Sequence, residues 1–292
     1  MTGTLTPDRI TTLRSALRAA DQRSNEEWLR SLSARKLEEI EFHDLDRTVV
    51  PNEMGPPQYE RETGNKKFYS TTDLSNRYVA DWIDRHSRNR VVLDYACGAG
   101  HSTIRAARAG AGLAVGLDIS RVSVEACRRR AAAAGVSGNT FFVQGDCENT
   151  GLPSDSFDVL ICMGMLHHLD LSYALPEMRR LLRPGGRCLA VEALDYNPAI
   201  KLYRWLTPAM RTEWEKRHIL SLRDIRFARR FFEVQEMRFW HLFSILSTPL
   251  RHTPLFRPAL AAGDALDRVA LRIPGLSLMA WMFSFELVKR SE

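Results

Sequence analysis

The sequence predicts an α/β fold built on a doubly wound, seven-stranded and mostly parallel sheet. Between residues 73 and 193, short apolar runs alternate with segments whose apolar residues recur at helical spacing. That alternation requires parallel strands joined by right-handed crossovers. Two further strand-like segments, Phe232 to Phe243 and Trp281 to Lys289, complete the set of seven.

The stretch from Val91 to Gly100 reads Val-Val-Leu-Asp-Tyr-Ala-Cys-Gly-Ala-Gly. It predicts a buried strand, a glycine turn and the start of a helix that Gly110 ends. Backbone approaches a ligand closely where no Cβ intervenes, and the helix presents unpaired N–H groups above the turn. The turn therefore favours a nucleotide-like ligand. Thr103 stands where a dinucleotide-binding fingerprint needs its third small residue, so that class of ligand is not expected.

Acidic residues mark the ends of the first three predicted strands. Asp94 closes the first strand, and Asp118 closes the second, which is the apolar run Leu113 to Leu117. Asp146 follows the third, Thr140 to Gln144. In a doubly wound sheet, an acid at the end of the second strand accepts hydrogen bonds from ribose hydroxyls.

Taken together, the stretches Asp94 to Gly100 and Gly116 to Ser120 resemble the first two motifs of class I S-adenosylmethionine-dependent methyltransferases. The turn at residues 182–186, Leu-Arg-Pro-Gly-Gly, looks like the family's signature before the fifth strand. The resemblance covers roughly residues 73–192. It is close to the ubiquinone/menaquinone-biosynthesis-like (methyltransferase type 11) group, which includes many natural-product tailoring enzymes. It implies that the protein is an enzyme that uses S-adenosylmethionine.

The resemblance also implies where this cofactor binds. It assigns the ribose to Asp118, the adenine amine to Asp146 and the methionine end to the glycine turn. Tyr69, just before the first core helix, is a candidate contact to the methionine end, with ordinary ring packing as the alternative. The candidate cofactor-binding residues are Tyr69, Asp94, Ala96, Cys97, Gly98, Gly100, Asp118, Ile119, Asp146, Cys147 and Cys162.

The fourth predicted strand runs into Gly-Met-Leu-His-His-Leu, residues 164–169. In the family, this end of the sheet faces the transferable methyl group. A hydroxyl acceptor must lose its proton, and a histidine with a near-neutral pKa is the usual base. His167 and His168 are therefore candidate catalytic residues, with capping or packing as the alternative for one of them. Glu192 is a candidate second base or orienting group.

The sequence thus predicts methyl transfer to a fairly apolar small molecule of secondary metabolism, with O-methylation slightly favoured. C-methylation of a prenyl, terpenoid or quinone-type acceptor would instead need aromatic faces rather than a base. The aromatic residues between Trp205 and Phe243 fit such a pocket and fit a plain core equally well. Basic charge and an apolar insertion would also suit a peripheral-membrane lipid methyltransferase. A binding-only protein with the same fold is less expected, because the cofactor motifs are complete.

The composition of the chain limits which binding partners we expect. The formal charge of +6 suggests anionic partners, but the densest basic run, Arg128 to Arg130, lies on a predicted surface helix. Nucleic acid is therefore not expected, and membrane contact is not favoured. Five cysteines without C-x-x-C spacing favour buried thiols in a reducing cytoplasm and no metal site. The apolar windows are too short to span a bilayer, and the first residues do not form a signal peptide.

We expect two parts in the chain. Residues 1–70 form an N-terminal helical arm and a cap over the cofactor, and residues 71–292 form the methyltransferase domain. That domain carries substrate-side insertions at about 196–231 and 244–280. Apolar segments outside the core need a partner, so a homo-oligomer is expected.

Overall fold

The computed structural model describes residues 7–48 and 64–291. The part of the predicted cap at residues 49–63 lies outside this range. The strands are β1 (Val91–Tyr95), β2 (Leu113–Asp118), β3 (Thr140–Gln144), β4 (Phe157–Met163), β5 (Leu182–Ala193), β6 (Glu233–Trp240) and β7 (Met282–Val288). The α-helices are α1 (Pro7–Asp21), α2 (Asn25–Arg30), α3 (Ala34–Thr48), α4 (Asp73–Ser87), α5 (His101–Arg108), α6 (Arg121–Ala133), α7 (Leu171–Leu181), α8 (Pro198–Leu206), α9 (Leu222–Ala228) and α10 (Phe256–Ala270).

The seven strands form one sheet in the order β3-β2-β1-β4-β5-β7-β6. Strand β7 is antiparallel to both of its neighbours, and the pairs among β1 to β5 are parallel. The predicted fold class, a doubly wound and mostly parallel seven-stranded sheet, is confirmed. The chain order reverses between β1 and β4, where open α/β sheets form their ligand crevice.

Both faces of the sheet are covered. On one face, Leu93 of β1 belongs to a core cluster that also contains Leu13 and Leu17 of α1. On the other face, Val92 packs in a cluster with Trp82 of α4. The N-terminal arm therefore contributes fully buried leucines to the core of its own chain. Within the described residues, no helix combines the length and the apolar character that crossing a membrane requires.

Strand β5 begins earlier than the sequence predicts. We expected a turn at residues 182–186 before the strand, but Leu182 already pairs with Phe157 of β4. The Gly185 N–H donates to the Lys289 carbonyl, and the Lys289 N–H donates to the Gly186 carbonyl. Gly185 has a φ of +73°, which suits glycine. The glycines therefore form an irregular first segment of β5 that is hydrogen-bonded next to the end of β7.

The insertion at residues 244–280 folds as the short 3-10 helix Ser244–Leu250, helix α10 and a final turn at Leu276–Met279. The Asp267 carboxylate accepts hydrogen bonds from the N–H groups of Phe243 (2.7 Å) and Ser244 (3.2 Å). It also accepts one from the Ser244 hydroxyl at 2.7 Å. Helix α10 is therefore fixed to the segment that follows β6.

Asp158 in β4 gives a test of how the N-terminal arm is attached. Its carboxylate accepts hydrogen bonds from the Val91 N–H and the Arg9 guanidinium, both at 2.7 Å, and from Arg183. We expect Asp158→Ala to lower the free energy of unfolding by about 2–4 kcal/mol, because the partly buried Arg9 and Arg183 and the buried Val91 N–H lose their acceptor. Urea denaturation measures this change.

The matched control is Glu26→Ala, which breaks an exposed pair with Arg30. It should change the unfolding free energy by less than about 0.5 kcal/mol. If Asp158→Ala lowers the free energy of unfolding no more than Glu26→Ala does, then Asp158 does not anchor the N-terminal arm.

Candidate functional site

Three neighbouring spaces lie at the carboxyl edge of the sheet in the described part of the chain. The strand-end cavity, about 170 Å³, lies at the ends of β1 and β2 and beneath α3. The insertion cavity, about 560 Å³, lies between the end of β5 and the segments at residues 197–219 and 242–251. The outer groove, about 1020 Å³, lies between the glycine turn and helices α4 and α5.

The strand-end cavity gathers six of the predicted cofactor residues, which are Ala96, Gly98, Asp118, Ile119, Asp146 and Cys147. Asp94 and Cys97 line the outer groove instead. Ala96, Gly98 and Met163 line both spaces, so the two meet at the glycine turn. A ligand bound at the turn could extend into either space.

The Asp118 carboxylate holds the glycine turn against the end of β2. It is buried and accepts hydrogen bonds from the Gly98 N–H at 2.7 Å and the Ser120 N–H at 2.9 Å. Gly100, next in the turn, has a φ of +74°, and a Cβ there would lie 2.7 Å from the Cys127 sulfur. The turn therefore depends on an acid at the strand end and on a residue without a side chain.

Asp94 is a buried carboxylate whose charge is only partly compensated. It accepts hydrogen bonds from the Thr103 N–H (2.9 Å) and hydroxyl (2.7 Å). Burial raises its pKa to about 7, the Thr103 hydrogen bonds oppose that rise, and the charge of Asp118 adds to it. A cationic group bound in the outer groove would favour the ionised form of Asp94.

Helix α3 covers the strand-end cavity with charged side chains. The Lys36 ammonium lies 2.6 Å from Asp146 and 2.8 Å from Glu148. Burial lowers the pKa of Lys36, but the hydrogen bonds and charges of these two acids outweigh it, so the pKa is raised. Arg35 pairs with Glu148 at 2.5 Å and donates to the His168 carbonyl at 2.9 Å. The acid expected to bind adenine is therefore paired with α3, and the cavity is smaller than the roughly 300 Å³ of typical ligand sites.

The adjacent histidines, His167 and His168, face different cavities. His167 lines the insertion cavity, and its Nδ1 lies 2.6 Å from the Glu192 carboxylate. His168 lines the strand-end cavity, and its Nδ1 lies 2.9 Å from Glu39 of α3. Burial alone lowers the pKa of His167, but the charge and hydrogen bond of Glu192 outweigh it and raise the pKa.

Glu192 is fully buried at the end of β5. Besides contacting His167, it accepts hydrogen bonds from the Met165 N–H at 2.9 Å and the Leu166 N–H at 2.7 Å. It is not among the described residues that line the insertion or strand-end cavity. This geometry favours the orienting role over the second-base role for Glu192.

The insertion cavity combines aromatic, aliphatic and charged walls. Its aromatic residues are Phe68, Tyr69, Tyr203 and Trp281, and its large aliphatic residues are Ile200, Ile219, Leu242, Ile245 and Leu246. Its charged residues other than His167 are Lys67, Arg204, Arg211, Glu215 and Arg251.

Some predicted site residues lie elsewhere. Tyr69 lines the insertion cavity, with its ring centroid 5.4 Å from that of Trp281, and so does not reach the spaces around the glycine turn. Cys162 points into the core, where its sulfur lies 3.7 Å from that of Cys188. Strand β4 is apolar except for Asp158 and is almost entirely buried, so its sequence did not indicate which side chains reach the site.

The sequence analysis did not identify the charged residues that distant segments of the chain contribute to the two cavities. Lys36 and Glu39 of α3 border the strand-end cavity, and Arg204, Arg211 and Glu215 border the insertion cavity. No motif marks any of them. The one sequence feature that points to these residues is the polar, helical character of the segments that carry them.

Residues 92–186 match the family of methyltransferase domains. The chain is 35% identical over 119 residues to 27-O-demethylrifamycin SV methyltransferase from Amycolatopsis mediterranei, covering 40% of this chain and 43% of that protein. It is 38% identical over 104 residues to the ubiquinone/menaquinone biosynthesis C-methyltransferase UbiE from a Marinomonas species, covering 35% and 41%. The chain thus spans less than half the length of these two relatives.

Solved structures share the fold at low sequence identity. A putative sarcosine dimethylglycine methyltransferase from Galdieria sulphuraria has a TM-score of 0.53 at 16% identity, covering 74% of this chain and 85% of that one. The YcgJ protein from Bacillus subtilis has a TM-score of 0.51 at 20% identity, covering 74% and 100%.

Residues 92–186 therefore resemble methyltransferase domains in sequence, and the sheet has the fold of the class I S-adenosylmethionine-dependent methyltransferases. S-adenosylmethionine is the cofactor of this class, and the residues at the strand ends fit it. The protein backbone at the glycine turn can approach a ligand closely, Asp118 closes β2 where the ribose is expected, and the undercompensated Asp94 suits a cation. Asp146, where the adenine is expected, is paired with Lys36, so a ligand at that carboxylate would have to displace the ammonium group.

Lys36 gives a test of this last point. We expect Lys36→Met to raise the affinity for S-adenosylmethionine about fivefold, because Asp146 no longer has a charge-assisted partner to give up. Isothermal titration calorimetry measures the change. Lys216→Met, which removes an exposed lysine paired with Glu213, is the control and should leave the affinity unchanged. Weaker binding by Lys36→Met would mean that Lys36 helps to hold the cofactor.

Proposed function

We propose that the protein transfers a methyl group from S-adenosylmethionine to a hydroxyl of a fairly apolar small molecule, with His167 as the general base. The observation that carries this proposal is the buried His167–Glu192 pair, 2.6 Å apart, in the wall of the insertion cavity. A base oriented by a buried carboxylate beside a largely apolar cavity suits deprotonation of a hydroxyl.

In this proposal, Asp118 holds the ribose, Asp146 the adenine amine, and the glycine turn with Asp94 the methionine end. The bound cofactor supplies an electrophilic methyl group. Because the methyl carbon is attacked in line, the protein contributes mainly position and a dry site. Aromatic side chains such as Phe68 and Trp281 contribute apolar surface to the wall of the insertion cavity.

His167 then moves one proton. Its Nδ1 donates to Glu192, which leaves Nε2 to accept the proton of the acceptor hydroxyl as the oxygen gains the methyl group. The Glu192 carboxylate fixes the ring and stabilises the imidazolium that forms. The N–H groups of Met165 and Leu166 in turn fix Glu192, so the base is held by the backbone of the loop that carries it.

C-methylation of a prenyl or quinone-type acceptor is the second candidate. The rings of Phe68, Tyr69, Tyr203 and Trp281 in the insertion cavity support it, since aromatic faces stabilise a carbocation. The names of the relatives do not discriminate, because they include an O-demethylated substrate and a C-methyltransferase. The oriented base favours O-methylation. Ile245 and Leu246 of the apolar insertion line this cavity, whereas Leu255, Leu266 and Val269 of the same insertion are exposed.

Asp118→Ala tests the cofactor part of the proposal. We expect it to reduce the affinity for S-adenosylmethionine by at least about a hundredfold, since the ribose loses its acceptor and the turn loses two backbone hydrogen bonds. Calorimetry measures the affinity, and circular dichroism checks that the variant is folded. An unchanged affinity in a folded variant would refute the assignment.

The pH dependence of turnover tests the base. The pKa of His167 is raised above its ordinary 6.5, and the protonated form is inactive as a base, so kcat should fall as the pH drops through a value above 6.5. His167→Ala should lower kcat about 10²- to 10⁴-fold and remove this acid limb. Product masses from a panel of apolar alcohols, phenols and prenyl compounds identify an acceptor for the assay.

His168→Ala is the matched control, because His168 is bonded to Glu39 and faces the other cavity. It should retain the acid limb. Turnover that is indifferent to His167→Ala would favour C-methylation.

A further inference from the structure

We propose that the methyl acceptor is an amphipathic anion, with an apolar body and a carboxylate or phosphate group held by Arg204 and Arg211 in the insertion cavity. This inference rests on the proposed function, which makes the insertion cavity the acceptor site. It adds a charge requirement that neither the motifs nor the names of the two curated relatives specify.

The first argument is the charge of the cavity wall. Among the described residues that line it, Lys67, Arg204, Arg211 and Arg251 are cationic, and Glu215 is the one carboxylate. A largely apolar cavity of about 560 Å³ with this excess of positive charge is poorly suited to a neutral hydrocarbon alone. An anionic group on the ligand would compensate the excess.

The second argument is the environment of Arg204. Its side chain is only 13% exposed, and its buried Nη1 makes no hydrogen bond to any described residue. The Asp195 carboxylate lies 3.7 Å away, but it is also paired with Lys201 at 3.0 Å. Burial, and then the charge of Arg211, lower the pKa of Arg204 to about 10. The guanidinium is therefore undercompensated where it borders the cavity.

The third argument is that Arg211 is already fixed beside Arg204. Its Nη1 donates to the Thr207 carbonyl at 2.9 Å and hydroxyl at 3.2 Å, and its Nε lies 3.5 Å from Glu215. Its side chain is 7% exposed. Guanidinium groups match the geometry of carboxylate and phosphate oxygens, and groups held in place before binding lose little entropy.

The position of Glu215 orients the acceptor. Its carboxylate and the ring nitrogens of His167 and His168 lie within 4.8 Å of one another. Arg211, which is paired with Glu215, therefore lies on the His167 side of the cavity. Aliphatic residues at positions 242–249 form another part of the wall. In an acceptor bound this way, the hydroxyl and the anionic group lie at the same end of the molecule.

The test is equilibrium binding to the full chain of four probes that differ only in the head group: decanoate, decyl phosphate, decan-1-ol and decylamine. Tryptophan fluorescence reports binding, because Trp281 lines the cavity. We expect one of the two anions to bind at least about tenfold more tightly than the alcohol, and the amine to bind most weakly. Which anion binds more tightly separates a carboxylate from a phosphate acceptor.

Arg204→Met should weaken binding of the preferred anion about tenfold to a hundredfold and change binding of the alcohol less than about twofold. Arg211→Met should act in the same direction and gives a second variant if the first does not fold. Arg129→Met, which removes an exposed arginine of α6, is the charge-matched control and should bind all four probes as the parent does.

Equal affinity for the alcohol and both anions, or an equal loss for all probes in Arg204→Met, would overturn the inference. Failure of the proposed function is distinguishable, because it appears as absent S-adenosylmethionine binding while the preference for anions persists.

Discussion

Parallel pairing of β1, β2, β4 and β5 is the constraint on which the site depends. Asp94 lies opposite Gly116 of β2 and Ile161 of β4, and Met163 lies opposite Val191 of β5. Strands in this register end at one edge, so the residues that follow them converge there. The glycine turn, the acid of β2 and the histidine loop after β4 meet for this reason, although more than 60 residues separate the first from the last.

Three buried carboxylates at this edge are stabilised in different ways. Asp118 and Glu192 accept backbone N–H groups, which fix the turn and the histidine loop. Among the described residues, Asp94 accepts hydrogen bonds from Thr103, and burial raises its pKa to about 7. A carboxylate whose charge is compensated by backbone N–H groups stabilises the local backbone, whereas an undercompensated carboxylate suits the binding of a cation.

The sequence predicted the features that local patterns determine, namely the strands and the acidic residues at their ends. The apolar runs located the strands, and Asp94, Asp118 and Asp146 stand where strand ends put them. It did not predict that Lys36, 110 positions before Asp146, would pair with it, because spacing along the chain carries no information about such a contact. It also left the two histidines equivalent. Their difference arises from partners on β5 and α3, Glu192 and Glu39, which only the folded chain brings near.

Helix α3 lines the strand-end cavity and also contacts residues beside the wall of the insertion cavity, which has a mechanical consequence. Beyond its contact with His168, the Glu39 carboxylate accepts a hydrogen bond from the Thr212 hydroxyl at 2.5 Å, next to Arg211 of the insertion cavity. The Arg35 guanidinium stacks over the Trp214 ring at 4.4 Å. A shift of α3 would therefore change the strand-end cavity and the segment at residues 212–214 together. The shapes of the two cavities are in this way coupled through one helix.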